Sequence, residues 1–102
     1  IGAAELAHMR PSSYFVNVAR GPVVVEADLI SALQEGKISG AVLDVTIDEP
    51  LAPDSPLWQM NNVLITPHTG GETSYYEKRL VDIIVENIRH WERREPFVHQ
   101  IV

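Results

Sequence analysis

Four ionisable side chains in this 102-residue chain sit at the end of, or just beyond, short apolar runs. Arg20 closes YFVNVAR, Asp44 closes GAVLD, His68 follows NNVLITP, and Glu49 lies soon after Asp44 in a proline-bearing stretch. An arginine offers a planar fork of donors that matches a carboxylate. A histidine can give or take a proton near neutrality, and a carboxylate beside it favours the charged form and keeps that proton available. Held together, these groups suit the binding of a 2-keto acid and protonation of its carbonyl oxygen while another group delivers a hydride.

For the four to meet, the runs before them must be parallel strands. Tyr14–Val18 is short, apolar and β-rich, Gly40–Val45 is apolar on both faces, and Asn62–Thr66 ends at Pro67. Residues 3–9 read as a short helix closed by Arg10-Pro11 and the turn-forming Ser12-Ser13. Glu26–Glu35 reads as a helix with Leu29, Ile30 and Leu33 inward and Gly36 as its stop. The stretch Asp48–Pro56 holds three prolines and predicts irregular chain. Residues 72 to about 94 predict a long helix whose apolar face, Tyr76, Leu80, Ile83, Ile84, Ile88 and Trp91, is broken only by Asn87. The tail EPFVHQIV predicts an extended, hydrophobic segment that docks on something.

The order helix, strand, helix, strand, loop, strand, helix argues for a parallel α/β sheet. Three strands are few for that class and leave an apolar edge uncovered, so the pattern reads as half of a doubly wound domain. In such sheets ligands bind outside the carboxyl ends of the strands. Each strand then delivers one ionisable residue to the same edge, with Glu49 within reach. Taken singly, each has a plainer reading. Arg20 pairs with a surface acid, Asp44 caps a turn, Glu49 is a solvated loop carboxylate before Pro50, or His68 packs on Pro67.

Composition narrows the alternatives. Hydrophobic residues make up 45% of the chain, enough for a core, and no apolar run approaches the roughly 20 residues of a membrane span. A formal charge of -6 argues against nonspecific binding to nucleic acid or to an acidic membrane. The absence of cysteine excludes disulfides, thiolate nucleophiles and cysteine-ligated zinc. The histidines at 8, 68, 90 and 99 lack metal-ligand spacing, the serines lack a nucleophile-elbow context, and Val18–Gly21 is not a phosphate loop.

Several motifs carry a resemblance: NVARG at 17–21, ADLISALQEGKISGA at 27–41, LDV at 43–45, DEP at 48–50 and NNVLITPH at 61–68. In this order and spacing the chain resembles the D-isomer-specific 2-hydroxyacid dehydrogenases over almost its whole length. The resemblance implies the C-terminal half of a Rossmann-like doubly wound parallel sheet, incomplete on its own. Residues 1–94 would be the second half of the NAD(P)-binding domain with its long helix, and 95–102 a tail crossing towards a substrate domain. Arg20 matches the arginine that holds the substrate carboxylate and carbonyl, His68 the catalytic acid/base and Glu49 its acidic partner. Asp44 matches the carboxylate that binds the nicotinamide carboxamide, and Val18 and Ala19 match the backbone lining that ring. The implied cofactor-contacting set is Val18, Ala19, Arg20, Asp44, His68 and Gly70, with NAD or NADP as cofactor, a small 2-keto or 2-hydroxy acid as substrate, a homodimer as the full-length form and a cytoplasmic location.

The chain also departs from the pattern. Thr46 stands where an aromatic residue often follows Asp-Val, and Thr69-Gly70-Gly71 differs from commoner relatives. Gly71-Glu72 stands where the family's corepressor branch has a tryptophan, which favours an enzyme over a corepressor. No three of the six glycines have GxGxxG spacing, so the dinucleotide fingerprint and the acidic residue that binds the adenosine ribose are expected upstream. The chain opens at Ile1 as though cut from something longer. Alone it is expected not to turn over. The other readings are a non-catalytic NAD-sensing or scaffold protein on the same fold, and an inactive fragment.

Overall fold

Three short strands organise the first part of the chain. In the computed structural model, which describes residues 1–100, β1 is Tyr14–Asn17, β2 Gly40–Leu43 and β3 Val63–Ile65. They form one parallel sheet in the order β1-β2-β3. Tyr14 stands opposite Gly40 and Asn17 opposite Leu43, while Ala41 to Leu43 pair with Val63 to Ile65. Parallel neighbours need a crossover. Between β1 and β2 it is the helix α2, Glu26–Gln34; between β2 and β3 it is an irregular segment ending in a 3₁₀ turn, Pro56–Gln59. The short helix α1, Ala3–Leu6, precedes β1.

The core lies on one face of this sheet. Phe15 from β1 and Ala41 and Leu43 from β2 point inward to meet Leu6, Leu29, Ala32, Leu33, Ile38, Leu51 and Leu57, and Asn17 of β1 is buried as well. Leu6, Leu29, Ile38 and Leu57 are essentially fully enclosed, each contributing roughly 1.5–3 kcal/mol by leaving water. The alternate positions Tyr14, Val16 and Leu64 remain exposed, so the opposite face of the sheet is uncovered, as a half-domain predicts.

Element ends follow local chemistry. Helix α2 has Glu26 and Asp28 in its first turn, where they complement the helix dipole. It stops at Gly36, whose φ of 65° suits a residue without a Cβ. Helix α1 is shorter than the run 3–9 implied: Ala7 to Met9 continue as turns that bond back to Ala3, Glu5 and Leu6. Residues 21–23 form a 3₁₀ turn led by Gly21-Pro22, which apolarity alone did not announce.

The chain divides into two compact units, Ile1–Gly70 and a second beginning at Gly71. The second holds α3, Tyr76–Arg93, which starts four residues later than its periodicity implied because residues 72–75 are turns and irregular chain. No residue of α3 is buried, so its apolar stripe, including Leu80, Ile84, Ile88 and Trp91, is exposed. Asn87 has a definite task. Its side-chain amide donates to the Val98 carbonyl at 3.3 Å and its oxygen accepts from the Val98 N–H at 2.8 Å, tying the tail to the helix. The last two residues of the hydrophobic tail lie outside the described residues. Among the described residues no helix is long and apolar enough to cross a membrane.

Candidate active site

The carboxyl ends of β2 and β3 open onto a cleft of about 510 Å³ lined by Asp44, Glu49, His68, Trp58, Leu51 and Thr66, among others. Three of the four side chains singled out in the sequence are therefore in one place. Glu49 reaches His68 directly, its Oε2 lying 2.8 Å from His68 Nδ1. Both side chains are near half-exposed, 40% and 45%, so the pair meets solvent and anything entering the cleft.

Glu49 is held by local structure. The Thr46 N–H donates to its Oε1 at 3.2 Å, and the Thr46 hydroxyl donates to the Asp48 carbonyl at 2.7 Å. The segment from 46 to 49 is thus a self-bonded turn that points the carboxylate at the imidazole. The His68 contact, above all, and then the Thr46 N–H hold the Glu49 pKa below its ordinary value.

Asp44 is nearly buried, at 5% exposure, yet amply satisfied. Its Oδ1 accepts from the Thr66 hydroxyl at 2.5 Å and the Thr69 N–H at 3.0 Å, and its Oδ2 from the Gly70 N–H at 2.7 Å. The Thr66 hydroxyl, followed by the Gly70 N–H, draws the Asp44 pKa down against the opposing effect of burial. Gly70 thus meets Asp44 through its backbone.

Arg20 stands at the end of β1, outside the cleft lining, with Nη1 donating to the Ala19 carbonyl at 2.6 Å. Its positive charge nonetheless helps lower the Glu49 pKa. The exit from β1 is shaped by Asn17, whose side chain accepts from the Ala19 N–H at 3.1 Å and donates to the Arg20 carbonyl at 3.0 Å. Val18 and Ala19 are exposed beside it.

Asn17, Thr66 and Trp58 were not singled out in the sequence. Asn17 carried a signal, being polar at an inward position of an apolar strand. Thr66 carried none, because threonine is ordinary at a strand end. Trp58 is half-exposed on the cleft wall, with its indole N–H donating to the Ala52 carbonyl at 2.9 Å; nothing local in the sequence sets it apart from a core tryptophan. Among the described residues no group of three or more acidic or histidine side chains is arranged to hold a metal.

A parallel α/β sheet with an acid–histidine pair beyond its carboxyl ends defines a class, and comparison identifies it. Residues 1–70 match the family described as D-isomer specific 2-hydroxyacid dehydrogenase, NAD binding domain, and the chain belongs to that family. Glyoxylate/hydroxypyruvate reductase B of Shigella boydii serotype 4 is 47% identical over 87 residues, covering 85% of this chain and 27% of its own. A D-isomer specific 2-hydroxyacid dehydrogenase from Xanthobacter autotrophicus Py2, solved in complex with NADPH and MES, is 49% identical with a TM-score of 0.88, covering 98% of this chain and 40% of its own. An NADPH-dependent glyoxylate/hydroxypyruvate reductase from Sinorhizobium meliloti, solved with NADP and sulfate, is 34% identical with a TM-score of 0.85, over 99% of this chain and 33% of its own. The chain spans less than half the length of each.

Proposed function

We propose that this chain is the C-terminal catalytic portion of an NAD(P)-dependent D-2-hydroxyacid dehydrogenase, which reversibly reduces a small 2-keto acid to the D-2-hydroxy acid. The observation that carries the reading is the 2.8 Å contact between His68 Nδ1 and Glu49 Oε2 on a cleft at the sheet's carboxyl edge. With Nδ1 engaged by Glu49, Nε2 is the nitrogen left to face a substrate. In reduction, His68 donates a proton from Nε2 to the keto oxygen; in oxidation it takes the proton back from the hydroxyl. Glu49 orients the ring through its contact with Nδ1 and so keeps Nε2 aimed into the cleft. Arg20 binds the substrate carboxylate through its guanidinium fork.

A bound nicotinamide cofactor, NAD or NADP, supplies or accepts the hydride. The residues present fit its nicotinamide end. Asp44 lines the cleft and accepts three hydrogen bonds, which leaves acceptor capacity for a carboxamide N–H because a carboxylate offers about four lone-pair sites. The exposed residues Val18 and Ala19 and the turn at Gly70 would complete the set of contacts. In this reading residues 1–94 are the second half of the NAD(P)-binding domain and 95–102 reach towards a substrate domain. The full-length enzyme is a cytoplasmic homodimer acting on a 2-keto or 2-hydroxy acid.

The second reading is a non-catalytic NAD-sensing or scaffold protein on the same fold, or an inactive fragment. With the full-length protein, oxidation of NADH and NADPH is followed with glyoxylate, hydroxypyruvate and pyruvate, beside a direct cofactor-binding titration. Ketoacid-dependent oxidation supports the dehydrogenase. Saturable binding without turnover supports the second reading, and neither binding nor turnover removes both.

A further inference from the structure

We propose that Thr66 is a positioning residue for His68, acting through a clamp in which its hydroxyl and the Thr69 and Gly70 N–H groups converge on the Asp44 carboxylate. The three bonds bracket the histidine, since Thr66 precedes Pro67-His68 and Thr69-Gly70 follow. The anchor is firm. Asp44 is nearly buried and its own N–H donates to the Asn17 carbonyl at 2.9 Å, while the Thr66 N–H extends the ladder to the Leu43 carbonyl at 3.0 Å. Within the bracket the His68 N–H donates to the Thr66 carbonyl at 3.0 Å, and His68 has a φ of 55°.

That left-handed backbone is unfavourable for a residue with a Cβ and persists where surrounding bonds over-determine it. The clamp supplies those bonds and so fixes where the imidazole points, namely at Glu49 Oε2. The charged groups acting on this arrangement are Glu49 and Asp44, with Arg20 acting on Glu49. The relevance to catalysis rests on the reading of His68 as the proton donor; the clamp itself is testable without it.

The test compares Thr66→Val, Thr66→Ala and Thr66→Ser in the ¹⁵N-labelled chain by NMR. Losing a hydrogen bond to a charged acceptor is expected to speed amide exchange at Thr69 and Gly70 by about tenfold in the Val and Ala variants. The same variants are expected to move the His68 ring-nitrogen signals, with the amides of β1 and α2 unchanged. Thr66→Ser, which keeps the hydroxyl, restores both. Parent-like His68 and Gly70 signals in folded Val and Ala variants overturn the clamp, as does a Ser variant as perturbed as Ala. Thr66→Ala carries the expectation if Thr66→Val does not fold. Where the parent reduces a ketoacid, the Ala variant is expected to lose about tenfold in kcat with KM changed by less than about twofold. A clamp signature together with a full-length protein that lacks reductase activity overturns the functional reading and leaves the clamp standing.

Discussion

Gly21 packs against the backbone of Thr46 so closely that a Cβ on it would lie 2.1 Å from the Thr46 carbonyl oxygen. This contact sets the residue after Arg20 against the turn that holds Glu49, and it leaves no room for a side chain. Gly21→Ala is therefore expected to push the two segments apart at a cost of about 1–3 kcal/mol. Urea denaturation would show it as a lower midpoint with an unchanged slope. A parent-like midpoint would mean that the backbone at 46 yields easily.

His68→Ala removes the proposed proton donor, and ketoacid reduction is expected to fall by about 10²–10⁴. Arg20→Ala removes a charged two-point contact, and kcat/KM is expected to fall about 10- to 100-fold. Arg20→Lys should recover only part of it, because an ammonium cannot reproduce the fork. Steady-state kinetics of the full-length dehydrogenase decide each assignment separately, and near-normal kinetics for either variant removes that residue from the site.

The pH dependence of stability has a definite sign. Glu49 and Asp44 both have pKa values lowered in the fold, by the His68 contact and by the Thr66 hydroxyl respectively. Each therefore contributes stability that is fully present above the ordinary carboxylate range, about pH 4, and is lost as pH falls through the lowered values. Tm measured downwards from about pH 5 should decline, and Glu49→Gln and Asp44→Asn should each flatten the decline. An identical pH profile in both variants would show that other carboxylates govern acid unfolding.

Asn87 bonds both backbone groups of Val98. Asn87→Ala is expected to cost about 1–3 kcal/mol of local order, read as amide exchange at Val98 faster by at least about tenfold while exchange in β1 and β2 stays unchanged. Unaltered exchange at Val98 would show that other contacts hold the tail.

Much of this was legible in the residues because it rests on local rules. The strands followed from short apolar runs, α2 from its periodicity and its glycine stop, and the convergence of Asp44, Glu49 and His68 from the rule that parallel strands deliver their carboxyl ends to one edge. The irregular prolines were right in kind, but the 3₁₀ turn at Pro56–Gln59 was invisible, because one short turn has no period to reveal it. The start of α3 was misplaced because the periodic run was extended back to Glu72, although Thr73 and Ser74 are weak helix formers that favour turns.

The sequence by itself determined the class of sheet, the family and the residue types capable of proton transfer and carboxylate binding. These depend on side-chain chemistry and on neighbours close along the chain. Only the tertiary structure decided that Thr66 and Gly70 share the Asp44 carboxylate, that Asn17 shapes the turn before Arg20, and that Arg20 lies outside the cleft lining while its charge still acts on Glu49. Hydrogen bonds between residues 22 and 26 positions apart depend on how strands register and loops close. Those outcomes are fixed by packing of the whole sheet, not by any local stretch.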